Sequence, residues 1–317
     1  MTLGFEGVIG QPQAIRLLTQ AIRKNRIAPA YLFVGPEGIG KCLTASLFVQ
    51  RLASTEDSPE QRARIKKRME QGNHPDLLWV EPTYQHQGQL LSVSQAKAQG
   101  VQRKALPRIR IEQVREISQF LSRPPLESPR SLVVIDRADL MAEGAANGLL
   151  KTLEEPGQAT IIAIASSEAA LLPTIVSRCT RIPFYRLHPE ALEQVLRSLG
   201  YGEIVDRPTV MALAQGSPGE AIAAFEQLQA CPPEILQSLQ HLPRTPRPLL
   251  ELAKTIPQTL DTPTQLWLIG YLQQFYWQNH SSSQWLQPLE KARQALLSYV
   301  QPRLVWEVTL LAIARNQ

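Results

Sequence analysis

Three short apolar runs constrain this chain more than any other feature. Ala30-Tyr31-Leu32-Phe33-Val34, Ser131-Leu132-Val133-Val134-Ile135 and Thr160-Ile161-Ile162-Ala163-Ile164-Ala165 stop abruptly at Gly35-Pro36, Asp136 and Ser166. Runs that are apolar on both faces belong to strands covered on both sides. Between them lie stretches of helical spacing. Residues 12–24 place Ile15, Leu17, Leu18, Ala21 and Ile22 on one face, and a second stretch runs from Gly40 to about Leu52. A third runs from about 142 to Glu154 and ends before Pro156, because proline disfavours helical geometry in its predecessor. Buried strands interleaved with helices predict an α/β fold with a parallel sheet, its ligand chemistry at the carboxyl ends of the strands. From about residue 188 the pattern becomes helical, punctuated by Gly200, Gly216–Gly219 and the proline-rich stretch from Cys231-Pro232-Pro233 to Pro248. The expected division is an α/β domain over 1–187, a small helical domain over 188–240 and a second, all-α domain over 241–317.

Composition excludes several classes. Over 317 residues, 44% hydrophobic and 19% charged is an ordinary globular balance, which excludes global disorder. Three cysteines, at 42, 179 and 231, cannot build a four-thiolate zinc site or a disulfide framework. The start, Met-Thr-Leu-Gly-Phe-Glu-Gly, lacks the basic-then-apolar pattern of a signal peptide, and no apolar run approaches the roughly 20 residues that span a bilayer. A cytoplasmic protein is expected. The net charge of +5 permits an acidic partner without demanding one, and it is unevenly distributed. Residues 1–187 carry 24 Lys+Arg against 17 Asp+Glu, whereas 188–317 carry 9 against 11.

The sharpest local signal is Gly35-Pro36-Glu37-Gly38-Ile39-Gly40-Lys41-Cys42, which follows a strand and opens a helix. That is the context of a GxxxxGK[ST] phosphate loop. Gly35, Gly38 and Gly40 let backbone N–H groups approach phosphate oxygens, Lys41 adds a point charge, and the helix N-terminus adds a partial one. The last position departs from the pattern, because Cys42 stands where a hydroxyl normally binds Mg²⁺ and sulfur is a soft ligand for a hard ion. Asp136 closes the second apolar run, as a Walker B carboxylate would, or it caps the turn that follows. Its successor, Arg137, cannot act as a general base. Ser166 ends the third run, where a hydroxyl could contact a γ-phosphate. Arg178, in Ser177-Arg178-Cys179, is either an ordinary surface arginine or one that reaches a phosphate in a neighbouring subunit.

Taken in order, Gln11, Gly35–Lys41, His74-Pro75-Asp76-Leu77, Asp136, Asn147-x-Leu149-Leu150-Lys151-Thr152-Leu153-Glu154-Glu155-Pro156 and Ser177-Arg178-Cys179 strongly resemble the clamp-loader branch of the AAA+ superfamily over residues 5–187. The resemblance continues more weakly to about 230. It implies an AAA+ nucleotide domain, a helical lid and a C-terminal helical collar. It also implies a subunit of a hetero-pentamer, in the DNA polymerase III holoenzyme, that loads the sliding clamp onto primed DNA. The implied partners are the ATPase subunits and delta, with the clamp reached indirectly and DNA contacted without sequence preference. By the same resemblance Arg178 is an arginine finger acting in trans, Lys41 and the loop glycines bind nucleotide, Asp136 is Walker B and Ser166 is sensor 1.

The departures shape the expectation. Cys42, Arg137 and the arginine-free segment Gly216-Ser217-Pro218-Gly219-Glu220, which resembles the sensor 2 region, alter three parts of a hydrolytic site while Arg178 remains. A subunit that completes a neighbour's site without turning over ATP is expected. ATP binding through the loop amides and Lys41 stays open, Mg²⁺ is expected to be poorly held, and the family's four-cysteine zinc module is not expected, since 53–110 contains no Cys. The alternatives are an active ATPase motor of the same branch and a free-standing P-loop nucleotide-binding protein. Two basic clusters, Arg62-Ala63-Arg64-Ile65-Lys66-Lys67-Arg68 and Arg103-Lys104 with Arg108 and Arg110, read as a solvated helix face and loop rather than as a DNA-facing surface. His74 reads as a turn residue. The aromatic series Trp267, Tyr271, Phe275, Tyr276 and Trp277 reads as packing rather than as a cofactor site.

Overall fold

The structure is a computed structural model that describes residues 4–54, 59–86, 89–92, 95–96, 106–243, 245–280 and 283–315. The chain separates into two compact units, Met1–Ala191 and Leu192–Gln317.

The first unit is built on a five-stranded sheet. In chain order its strands are β1 (Ala30–Val34), β2 (Leu77–Val80), β5 (Ser131–Ile135), β6 (Ala159–Ala165) and β7 (Thr180–Pro183), while β3 (Thr83–His86) and β4 (Gln89–Ser92) form a separate antiparallel hairpin. The sheet order is β2-β5-β6-β1-β7, and every pair is parallel. The three runs singled out above are its central strands, with Leu32 opposite Ala163 and Val133 opposite Ile161. They are central because each buries both faces. Among these three strands, Leu32, Phe33, Val133, Ile135 and Ile162 are fully enclosed. Below them, Val114, Ile117, Leu149 and Leu153 from the helices Ile111–Leu121 and Glu143–Glu154 complete one core.

The two flanking strands are short, and only β2, Leu77-Leu78-Trp79-Val80, is apolar throughout. β2 and β7 are edges of four residues, only half covered, and β7 carries Thr180, Arg181 and a closing Pro183. An edge strand needs neither a continuous apolar run nor a complete set of ladder donors. The hairpin also lies outside the expected alternation.

Asp76 holds the entry to β2. Its carboxylate is buried and accepts the backbone N–H groups of Leu126, Glu127 and Ser128, each at 2.7 Å, so it clamps the loop that leads into β5. Burial alone would raise its pKa, but the three donors outweigh that and hold it below the usual carboxylate range. His74 is the turn residue expected, with its Nδ1 accepting the Asp76 N–H at 3.2 Å. Burial lowers its pKa, with Arg68 adding to the effect.

The second unit is helical throughout its described residues. Pro246–Thr259 packs along Pro302–Arg315, and Thr262–His280 packs along Leu286–Leu297. The proline-rich stretch is not a loop throughout. Pro233 and Pro246 occupy first-turn positions, where a missing N–H costs nothing, and start the helices Pro233–Gln240 and Pro246–Thr259. Trp306 is wholly enclosed, and its indole N–H donates to Gln265 Oε1 at 2.9 Å. The aromatic series is packing. Trp267, Tyr271 and Phe275 stack in sequence with centroids 5.6 and 6.2 Å apart, Tyr276 meets Trp285 edge-on at 4.7 Å, and only Trp277 is exposed. Among the described residues no helix is long and apolar enough to cross a membrane.

Candidate phosphate-loop site

The loop leaves β1 at Gly35 and enters the helix Lys41–Ala53 at Gly40, which caps the helix from the left-handed region (φ +96°). Gly38 is also left-handed, at φ +71°. Gly35 is fixed by crowding as well as by angle, since a Cβ there would lie 2.3 Å from the carbonyl oxygen of Phe184. Gly35→Ala is therefore expected to destabilise the first unit by about 2 kcal/mol or more, measured as a loss of unfolding free energy in urea; an unchanged midpoint would contradict the packing described.

Gln11 sets the height of the loop. Its buried amide donates to the carbonyls of Ile39 (3.2 Å) and Tyr185 (2.7 Å) and accepts the Tyr185 N–H (3.1 Å), which ties the loop to the chain leaving β7. Sequence alone gave Gln11 a place in an ordered set of residues but no task.

The predicted site residues converge. Gly38, Gly40, Lys41, Cys42, Asp136 and Ser166 line one cleft of 270 Å³ at the carboxyl ends of β1, β5 and β6, together with Glu37, Arg137 and Asp139. Gly35 and Arg178 are not among its lining residues. Most of its polar atoms have found a partner within the protein. The buried Lys41 ammonium donates to the carbonyls of Gly35 and Pro36, and burial lowers its pKa against the opposing pull of nearby acidic groups. The Cys42 thiol donates to Asp136 Oδ1 at 3.2 Å. Cys42 is exposed as a residue, yet desolvation of its sulfur, then the charge and hydrogen bond of Asp136, push its pKa up to about 12, so it is a thiol at neutral pH. Ser166 Oγ donates to Asp139 Oδ2 at 2.8 Å, while the other oxygen of Asp139 is buried without a partner. Arg137, itself left-handed at φ +50°, reaches across to Glu37 Oε1 at 2.9 Å.

Asp139 and Glu37 were not singled out from sequence. The signal for Asp139 was a second carboxylate three residues after Asp136, carried back to the cleft by the single turn Ala138–Leu140. Glu37 was visible only as a variable loop position.

A divalent cation does not fit this donor set. The position that should offer a hydroxyl offers a protonated sulfur already engaged with the carboxylate that would share the metal. Among the described residues no group of three or more His, Cys, Asp or Glu could hold a metal ion.

Arg178 lies on the surface after the short helix Pro173–Val176. Its guanidinium donates to Glu154 Oε1 at 2.7 Å and to the Thr174 carbonyl at 3.1 Å, and its side chain is 37% exposed. Glu154 is the first acid of the Glu-Glu-Pro string, so two of the sequence motifs meet here. Its neighbour Cys179 is tucked against the core, where burial pushes the thiol up to about 11.

Of the basic clusters, Arg64, Lys66 and Lys67 lie on exposed turns of Pro59–Glu70, while Arg68 pairs with Glu127. Arg103, Lys104 and the side chain of Arg62 lie outside the described residues. In the second unit Ser217 caps the helix Pro218–Ala230 by accepting the Glu220 N–H at 3.2 Å, with Gly216 left-handed before it.

A parallel sheet with a glycine-lined loop running from its central strand into a helix defines an α/β P-loop fold. A crystal structure of a DNA polymerase III gamma subunit-related protein from Thermotoga maritima is similar in fold, with a TM-score of 0.54 at 16% identity, covering 94% of this chain and 98% of that one. The chain belongs to the DNA polymerase III delta-subunit family, delta-prime type. Residues 10–188 match the family model described as DNA polymerase III, delta subunit, and residues 190–313 match that of the cyanobacterial DNA polymerase III delta prime C-terminal domain. The chain is 38% identical to the Bacillus subtilis DNA polymerase III subunit delta' over 189 residues, which are 59% of this chain and 51% of that protein. It is 29% identical to the B. subtilis subunit tau over 192 residues, 59% of this chain and 30% of that one. The matched segment thus spans about half the length of the first relative and less of the second. The family is one of DNA replication.

Proposed function

We propose that this chain is a clamp-loader subunit that assembles with ATPase subunits and delta in a hetero-pentamer and helps load the sliding clamp onto primed DNA in the cytoplasm. It does not hydrolyse ATP, and it donates Arg178 in trans to nucleotide held by a neighbour. The observation that carries this reading is the contrast between the two places. Inside the cleft the hydrolytic parts are changed or tied up, with Cys42 on Asp136, Ser166 on Asp139 and an arginine following the Walker B acid. Outside it, Arg178 is presented at the surface in a fixed orientation. A bridge of that exposure is worth about 0–1 kcal/mol, so a phosphate could draw the guanidinium from Glu154 at little cost. In this reading the loop amides and Lys41 hold a nucleotide that is not turned over. Residues 188–240 serve as lid and 241–317 as collar, and the assembly contacts belong to the collar.

The test is steady-state ATP hydrolysis by the purified chain, alone and with its partner subunits. No turnover above background is expected from the chain alone, with or without DNA. Turnover by the isolated chain, abolished by Lys41→Ala, would make it an active motor instead.

A further inference from the structure

The mismatch between the loop and magnesium has a consequence for what the cleft can hold. In this cleft the two groups that would face the cation face each other, Cys42 Sγ donating to Asp136 at 3.2 Å. A fixed positive charge stands beside them. Arg137 follows Asp136 directly, lines the same cleft, and spans to Glu37 on the loop at 2.9 Å. Both ends of that bridge are about half exposed, at 44% and 55%, and exposed bridges shift equilibria by less than about fivefold. A guanidinium–phosphate contact, charge-assisted and able to bind in a fork, is worth about tenfold or more. A phosphate in the cleft therefore wins Arg137 from Glu37.

We infer that this cleft takes a nucleoside diphosphate without a divalent cation, with Lys41 and Arg137 supplying the positive charge that magnesium would otherwise bring. The inference rests on reading the loop as a nucleotide site. The preference for a diphosphate follows from the charges on the walls. The cleft sets Lys41 and Arg137 against Glu37, Asp136 and Asp139. With both cations engaged by two phosphates, a third would meet only carboxylates. Magnesium normally relieves that repulsion, and here its seat is taken by a thiol.

Calorimetric titration of the full chain with ADP and with ATP, each in EDTA and in excess Mg²⁺, tests this. ADP affinity is expected to change less than threefold on adding Mg²⁺, and ATP in EDTA to bind at least threefold more weakly than ADP. Arg137→Ala should weaken metal-free ADP by about tenfold, with an unchanged thermal midpoint because the residue is exposed. Glu37→Gln, which removes the competing carboxylate, should tighten it by up to about fivefold. Tightening by Mg²⁺ of threefold or more, ATP binding as well as ADP in EDTA, or an Arg137→Ala chain with unchanged ADP affinity would each overturn the inference while leaving the loop a nucleotide site. If neither nucleotide binds under any of these conditions, both the inference and the nucleotide reading of the loop fall.

Discussion

Replacing Arg178 by alanine is expected to abolish hydrolysis at the ATP site it serves in the reconstituted clamp loader, a loss of roughly a thousandfold or more at that site, without dissociating the complex. The size follows from what a guanidinium does at a phosphoryl transfer. It meets charge that develops on the phosphate oxygens in the transition state, where little water remains to screen it. The same residue contributes little to the fold, because its bridge to Glu154 is exposed and its other hydrogen bond goes to a carbonyl one turn away. An effect on the fold and an effect on chemistry are thus separable. Total DNA-dependent ATPase should fall by the served site's share, single-turnover hydrolysis at that site should vanish, and the complex should elute unchanged in gel filtration. Arg178→Lys should rescue little, since a lysine cannot present two parallel N–H donors to a phosphate. Unchanged hydrolysis in the alanine complex would remove the finger role and leave Arg178 an ordinary surface bridge.

The second large effect is on stability. Asp76→Ala strands three backbone N–H groups, those of Leu126, Glu127 and Ser128, at the entry to a central strand. The Ser128 donor is buried and costs about 1–3 kcal/mol unpaired, while those of Leu126 and Glu127 are partly exposed and rehydrate more cheaply, so a loss of about 2–4 kcal/mol in unfolding free energy is expected. The carboxylate also fixes a pH dependence. Its folded pKa lies below the unfolded value near 4, so its contribution is fully present above that value and is lost as pH falls through the folded pKa. Asp76→Asn should be less stable than the parent at pH 7 and should show a flatter stability profile below about pH 4. Parallel acid limbs for the two proteins would show that Asp76 is not the titrating group.

Much of the site was legible because its parts are local. A strand, three glycines and a lysine lie within a dozen residues, and the backbone angles that demand glycine at 38 and 40 act on the chain itself. Asp136 and Ser166 were legible for a related reason, as polar residues ending apolar runs. What they touch was not legible. Cys42 suggested a weakened metal site, and only the fold showed its thiol bonded to Asp136, 94 positions away. Arg137 suggested a missing base, and only the fold showed it reaching Glu37. Arg178 carried a motif but no geometry until Glu154 was brought beside it.

The sequence by itself determined the central strands, the phosphate loop and the α/β-to-helical change near residue 188. Each is written in hydrophobic periodicity or in residues whose backbone freedom is intrinsic. The tertiary structure alone decided the edge strands β2 and β7, the Asp76 clamp and the partners of every polar group in the cleft. Strands of four residues are too short to stand out: β2 is apolar throughout but brief, and β7 is mixed. A hydrogen bond between residues tens of positions apart depends on where the sheet order β2-β5-β6-β1-β7 sets the strand ends side by side.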